Sequence, residues 1–552
     1  MTIYQVLTRL FGNDRTACVP DGTREQNGCG TLADFTDKAL AEIRSLGATH
    51  VWFTGLIEHA TQTDYSAYGI TPDCADIVKG KAGSPYAIKD YYDVDPDLAT
   101  SVPHRMRELE QLVRRTHEAG LGFVMDFVPN HVARQYHSDA CPRGTRDLGE
   151  DDDKSQAFSP QNNFYYLTAE SLHLDHIVAG GSRYSEQPAR VTGNDCFSAW
   201  PGRNDWYETV KLNYGVDYQS GCARHFDPRP DTWQKMLDIL LFWAAKGVDA
   251  FRCDMAEMVP VEFWQWAIAQ VKGLYPDMLF IAEVYNPALY RDYVHRGGFD
   301  YLYDKVGLYD TLRAVTRHEA SAQCITGCWQ QVDDIRPHML RFLENHDEQR
   351  VASDFFAGNA LRGRAPMIVS AMMDASPLML YFGQEMGERG MDAEGYSAQD
   401  GRTTIYDYWT VDTVRRWRNG GKCDGKLLTG DERRLRAFYS RLLALRESMP
   451  ALRTGRFYDL MYTNPHLQRQ YAFVRSLERE VLLVIANFDD EEAQVSVHLP
   501  QEFFDFLGLE GQTNVRAHDL LSGDITQVDF TPATPLHVLV RRWNGVALSI
   551  RF

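Results

Sequence analysis

Several absences narrow the class of this 552-residue chain before any motif is read. No stretch approaches the roughly 18 apolar residues that a bilayer-crossing helix needs, so no membrane span is expected. The opening MTIYQVLTRLF already alternates like a strand, with no basic segment followed by an apolar one, so a secretory leader is not expected either. The ten cysteines contain no Cys-x-x-Cys pair and no zinc-type spacing. Thiol-redox and zinc-finger readings therefore fall away, and reduced thiols in a cytoplasmic protein are expected. Positive charge is in deficit, with 57 Lys and Arg against 76 Asp and Glu and a formal charge of -19. That balance argues against nucleic acid or an anionic membrane as partner. There is no internal repeat and no low-complexity tract, and the acidic run Glu150–Asp153 reads as a solvated loop. Nothing in the sequence specifies an oligomeric state.

What is present is an ordinary globular composition, long enough for one large domain and one or two smaller ones. Short apolar, β-rich runs alternate with amphipathic stretches, the pattern of βα units around a parallel sheet. The runs are Ile3–Leu7, His50–Leu56, Leu121–Phe127, Val248–Arg252, Met278–Val284, Phe299–Tyr303, Met339–Glu344 and Pro377–Phe382. Eight such runs predict an α/β fold, a (β/α)8 TIM barrel. Apolar residues every three or four positions predict helices over Phe35–Leu46, Val102–Ala119, Asp231–Lys246, Glu262–Lys272 and Glu432–Ser448.

From Val132 to Pro230 the helical period stops, and Gly, Asp, Asn, Ser and aromatics dominate. A stretch this long is too large for a plain loop, so a small irregular domain is expected there, after the third strand. The barrel then comprises residues 1–131 and 231–450, with the insert at 132–230. Beyond it, Tyr471–Val474, Val481–Ala486, Gln494–Leu499 and His537–Arg541 predict a C-terminal antiparallel β-sandwich over 451–552.

Active sites of such barrels lie at the C-terminal ends of the strands. Four acidic residues fall at those ends: Asp126, Asp254, Glu283 and Asp347. Carboxylates gathered in one cleft repel one another, which is how a site pushes acid and base roles apart. Glycosidic cleavage needs such a set, one acid to protonate the leaving oxygen and one carboxylate to meet the developing oxocarbenium ion. Arg252 precedes Asp254 by two residues on one strand, so both side chains face the same way. A guanidinium there would hold the carboxylate ionised and oriented.

Four motifs in order carry a resemblance: DFVPNH (Asp126–His131), GVDAFRCD (Gly247–Asp254), FIAEV (Phe280–Val284) and FLENHD (Phe342–Asp347). Together they resemble the α-amylase family of glycoside hydrolases, glycoside hydrolase family 13, over about residues 1–450. The resemblance implies a retaining enzyme in which Asp254 is the nucleophile, Glu283 the general acid and base, and Asp347 the group that grips the sugar hydroxyls. It implies sugar contacts from His131 and His346, and stacking by Tyr86 within SPYAIKDYYDVDP, although Ser-Pro replaces the family's usual His-Gly before that tyrosine. It also suggests calcium as the one cofactor, with Asn130 as ligand. Against that, MAEMVP follows Asp254 where many members carry Lys-His at the positions of Glu257 and Met258, leaving only a Met258 carbonyl to serve there. Glu257 is then either an acceptor-sugar contact or a rim charge. Trp200, Trp206 and Tyr207 either line subsites or pack the inserted segment.

Three functions compete. The first is hydrolysis of α-1,4-glucosidic bonds in starch, glycogen or maltodextrins, the linkage that Val284 after Glu283 suggests. The second is transglycosylation, as a glucanotransferase, a maltosyltransferase or a trehalose-forming isomerase. The third, a catalytically silent relative, fits poorly because the carboxylates are kept. The expected partner is an α-glucan.

Overall fold

The computed structural model describes residues 1–552. Eight parallel strands form its centre: β1 Thr2–Leu7, β2 His50–Thr54, β3 Gly122–Phe127, β4 Ala250–Cys253, β5 Leu279–Ala282, β6 Tyr301–Tyr303, β7 Met339–Leu340 and β8 Leu378–Tyr381. They pair in the order β7-β6-β5-β4-β3-β2-β1-β8. A parallel bridge between Arg341, just past β7, and Leu378 of β8 closes the ring. The strands are buried on both faces, which is why their sequences run apolar without alternating.

The ladders are shorter than the apolar runs. Met278–Val284 pairs only over Leu279–Ala282, and Met339–Glu344 only over Met339–Leu340. Past those points neighbouring strands diverge, and the chain continues apolar into the rim. Asp254 and Glu283 come directly after the last residues of β4 and β5, whereas Asp347 lies seven residues past the end of β7.

Around the barrel run α1 Asp37–Leu46, α2 Arg105–Glu118, α3 Asp231–Ala244, α4 Val261–Leu274, α5 Arg364–Met372 and α6 Gly430–Ser448, among shorter helices. The Thr36 hydroxyl accepts from the Ala39 N–H, so α1 starts two residues after the apolar pattern does. The helix predicted from Val102 begins at Arg105, because Pro103 sits in a tighter 3-10 turn, Val102–His104. Helix α5, apolar all round, is buried all round.

Residues 132–230 hold only short ladders: His131–Ala133 against Thr209–Lys211, Tyr166–Leu167 against Ala189–Arg190, and Val216–Asp217 against Ala223–Arg224. A separate small apolar cluster, including Leu172, Leu174, Ala199 and Tyr207, packs there. Toward the C-terminus come β9 Arg456–Asp459, β10 Gln470–Leu477, β11 Glu480–Asn487, β12 Ala493–Val497, β13 Gln512–Asp519, β14 Ile525–Phe530, β15 Leu536–Val540 and β16 Asn544–Arg551. Six of them form an antiparallel sheet in the order β9-β10-β11-β16-β13-β14, and β12 pairs with β15. One continuous apolar core joins this sheet to the barrel. Buried Arg475 pins the junction, donating from Nη1 to the Met373 carbonyl at 2.7 Å and from Nη2 to the Gly455 carbonyl at 2.7 Å.

Candidate active site

The three rim carboxylates Asp254, Glu283 and Asp347 line one cavity of about 350 Å³, together with Tyr86, His131, Trp206, Tyr285 and Tyr406. Arg252, fully buried on β4, organises the acids from below. Its Nη1 donates to Asp254 Oδ1 at 2.8 Å and to Asp126 Oδ1 at 3.2 Å. Its Nη2 lies 2.8 Å from Glu283 Oε2. Asp254 and Glu283 therefore sit on the two prongs of one guanidinium, as close neighbours. The fork also faces the rings of Trp52, Tyr86 and Tyr303, with its carbon 5.1, 5.5 and 5.4 Å from their centroids.

Asp254 and Asp126 share the one positive charge of Arg252 in a dry pocket, and burial holds their protons tightly. Burial first, then the Glu283 carboxylate, pushes Asp254 well above the usual carboxylate range, against the pull of Arg252. Burial likewise raises Asp126 to about 7, although Arg252 and Trp52 Nε1, which donates to Asp126 Oδ2 at 2.8 Å, both favour its charged form. Asp347 is raised by burial as well. Glu283 is braced by two donors: the Met255 N–H at 2.8 Å to Oε2 and the Tyr285 hydroxyl at 2.5 Å to Oε1. Met255 supplies that N–H from a left-handed backbone, φ 43°, unusual for a residue with a side chain. The turn directly after Asp254 is thus bent so that one amide meets Glu283.

Both histidines are buried and neutral. Burial lowers His131 to about 3 and holds His346 well below its ordinary value. The Gln5 amide donates to His346 Nδ1 at 2.8 Å, which leaves the ring proton on Nε2. That nitrogen lies 3.2 Å from Asp347 Oδ2 and 2.5 Å from the Tyr86 hydroxyl. The Tyr86 ring stacks on the His346 ring, with centroids 5.0 Å apart.

The residues singled out in the sequence separate into three groups. Asp254, Glu283, Asp347, Tyr86 and His131 meet in the cavity, while Arg252 and His346 lie directly behind it. Glu257 is not among the lining residues: its half-buried carboxylate accepts from the Tyr285 and Asn286 N–H groups at 3.2 and 3.0 Å. Asn130 is buried behind His131, and its carboxamide oxygen accepts from the Lys211 ammonium at 2.9 Å.

Other lining residues escaped the sequence reading. Tyr285 follows Glu283 by two, a spacing that hints at a shared side. Lys79 and Glu208, an ion pair at 2.9 Å on the cavity wall, are 129 positions apart and carry no such signal. Of the aromatics in the insert, Trp206 reaches the cavity, with its ring centroid 5.1 Å from that of His131. Trp200 stacks on His173, 3.9 Å between centroids, and is not among the lining residues.

Comparison with known proteins bears on the family and the fold. Residues 5–420 match the family "Alpha amylase, catalytic domain". "Alpha-amylase 3" of Dictyoglomus thermophilum is 21% identical over 507 residues, 88% of this chain and 84% of that protein. An alpha-1,4-glucan:maltose-1-phosphate maltosyltransferase of Cereibacter sphaeroides is 24% identical over 51% of each chain. Among solved structures, a maltogenic alpha-amylase from Thermotoga neapolitana superposes with a TM-score of 0.64 at 19% identity, covering 100% of this chain and 99% of that one. The match over three quarters of its length, on a barrel whose rim gathers the acids, places this chain in the alpha-amylase family of glycoside hydrolases, as an enzyme that hydrolyses or transfers glycosyl groups.

Proposed function

We propose that this protein is a retaining hydrolase of α-1,4-glucosidic bonds in starch, glycogen or malto-oligosaccharides. The observation that carries the reading is the shared grip of Arg252 on Asp254 and Glu283. It favours the separation of about 5 Å that retaining enzymes use over the wider gap that admits an inverting water. In this reading residues 1–131 and 231–450 form the catalytic barrel, 132–230 an inserted lobe, and 451–552 a C-terminal β domain. The all-thiol state of the ten cysteines supports a cytoplasmic location.

In the reacting form the pair's proton sits on Glu283, and Arg252 holds Oδ1 of the ionised Asp254, leaving Oδ2 to attack the anomeric carbon. Glu283 gives its proton to the departing glycosidic oxygen as that bond breaks and a glycosyl–Asp254 ester forms. The Glu283 carboxylate then takes a proton from water, whose oxygen attacks the same carbon and releases Asp254. Two inversions leave the α configuration intact. The Tyr285 hydroxyl can donate to Glu283 when it is charged and accept from it when it is protonated, so it braces both states. Asp347 with His346, and His131 from the other side, would hold the sugar hydroxyls, and Tyr86 would pack against the ring.

Transglycosylation is the second reading, favoured by the similarity to a maltosyltransferase. Product analysis separates the two. Incubation with amylose and with maltotriose is expected to give α-configured reducing sugar by anomer-resolved NMR, and Asp254→Asn is expected to lose activity by at least about 10³-fold with its circular dichroism unchanged. Longer oligomers from maltotriose without new reducing ends would establish transfer instead.

A further inference from the structure

Behind His131 lies a cationic centre built from the chain itself. Lys211 is buried, and its ammonium lies 2.9 Å from Asn130 Oδ1 and 2.6 Å from Asp195 Oδ1, over the face of Tyr218. Two backbone features place it there. The short ladder His131–Ala133 with Thr209–Lys211 sets Lys211 directly opposite His131. Asp195 adopts a left-handed conformation, φ 64°, in the turn that brings its carboxylate to the ammonium.

The Asn130 carboxamide has no freedom left. Its oxygen faces an ammonium, which only donates, and its Nδ2 donates to the Gly193 carbonyl, which only accepts, at 2.7 Å. The amide therefore cannot be turned over. Its Nδ2 also lies 3.2 Å from His131 Nδ1, which must then accept, leaving the ring proton on Nε2. His131 lines the cavity, so a neutral imidazole is held there in one tautomer.

A calcium ion at Asn130, which the family resemblance suggests, would need the oxygen that Lys211 occupies, together with several more oxygen ligands at about 2.4 Å. The residues present do not fit that ion. We propose that the Lys211 ammonium is a built-in cation in its place, which orders Asn130 and Asp195 and, through Asn130, fixes the His131 tautomer, so that the Asn130 site does not depend on a bound divalent metal. Lys211 is a positioning residue in this scheme. Its link to sugar binding rests on the function proposed above, whereas its metal independence does not.

The test therefore has one arm without activity and one with it. In the first, the full-length protein is titrated with calcium by calorimetry and unfolded thermally in EDTA and in calcium chloride. Equal unfolding midpoints are expected, and wild type and Asp195→Asn should be indistinguishable in the titration. A midpoint that falls in EDTA and is restored by calcium in wild type but not in Asp195→Asn, or calcium binding that Asp195→Asn abolishes, overturns the proposal. In the second arm, Lys211→Ala removes the atoms of one propylammonium ion. A loss of about tenfold or more in kcat/KM is expected, the scale of an unpaired buried polar group, and added propylammonium should restore part of it and raise the unfolding midpoint. Neutral 1-propanol should do neither. An unchanged kcat/KM, or equal rescue by 1-propanol, refutes the positioning role. If Lys211→Ala does not fold, the calcium arm still decides.

Discussion

Replacing Glu283 by glutamine should move the ionisation of Asp254 in a direction set by the site's geometry. The substitution keeps the shape of the side chain and deletes one negative charge. Two carboxylates about 5 Å apart, at an effective dielectric near 20, repel by about 3 kcal/mol, or roughly two pH units. Burial, the first cause of the raised Asp254 value, persists in the variant, whereas the Glu283 contribution vanishes. Arg252, no longer drawn by a second anion, also favours the charged form of Asp254 more strongly. Both changes lower the value. Natural substrates will not report this, because the variant lacks the proposed general acid. α-Maltosyl fluoride will, since fluoride departs with little need of a proton. The acid limb of kcat/KM for the initial fluoride burst should therefore lie about one to two pH units lower in Glu283→Gln than in wild type, read with a fluoride electrode. An unmoved limb, or one that rises, would refute the assignment of Asp254 and Glu283 as a mutually repelling pair.

Two further outcomes concern stability. Glu58 is 1% exposed with neither oxygen hydrogen-bonded, and burial, then Asp90 and Asp93, pushes its carboxyl up to about 9. The folded chain thus holds this proton more tightly than the unfolded one, so stability is lost as pH rises from the unfolded value near 4.5 toward 9. Glu58→Gln should unfold a few degrees higher than wild type near pH 8 and about the same near pH 5 by calorimetry, and a variant less stable at pH 8 would contradict this account. At the junction between barrel and C-terminal sheet, a Cβ on Gly545 would lie 2.6 Å from the Ile485 carbonyl and 2.9 Å from Ile368 Cδ1 on α5. Gly545→Ala should cost about 1–3 kcal/mol and lower the unfolding midpoint by several degrees, whereas an unchanged midpoint would show that the sheet and α5 can part without penalty.

Local chemistry carried most of the barrel and the acids that line its cavity into the sequence. An apolar run buried on both faces reads the same wherever the barrel stands, and Arg252-x-Asp254 shares a side because alternation is a property of any strand. The motif order then located Glu283 and Asp347 at strand ends. What the sequence could not carry was every relation that depends on which loops come to share space. Glu257 sits three residues after Asp254, yet the turn at Met255 sends its carboxylate to the Tyr285 and Asn286 amides instead of into the cavity. Lys79 and Glu208 pair on the cavity wall from separate parts of the chain. Most tellingly, Asn130 stands in a motif that implies a metal, while 81 residues later Lys211 arrives through the register of a three-residue ladder to take its oxygen. Hydrophobic period and strand alternation are short-range and survive in one dimension. The partner of a buried polar group is chosen by three-dimensional packing, and only the tertiary structure decided it.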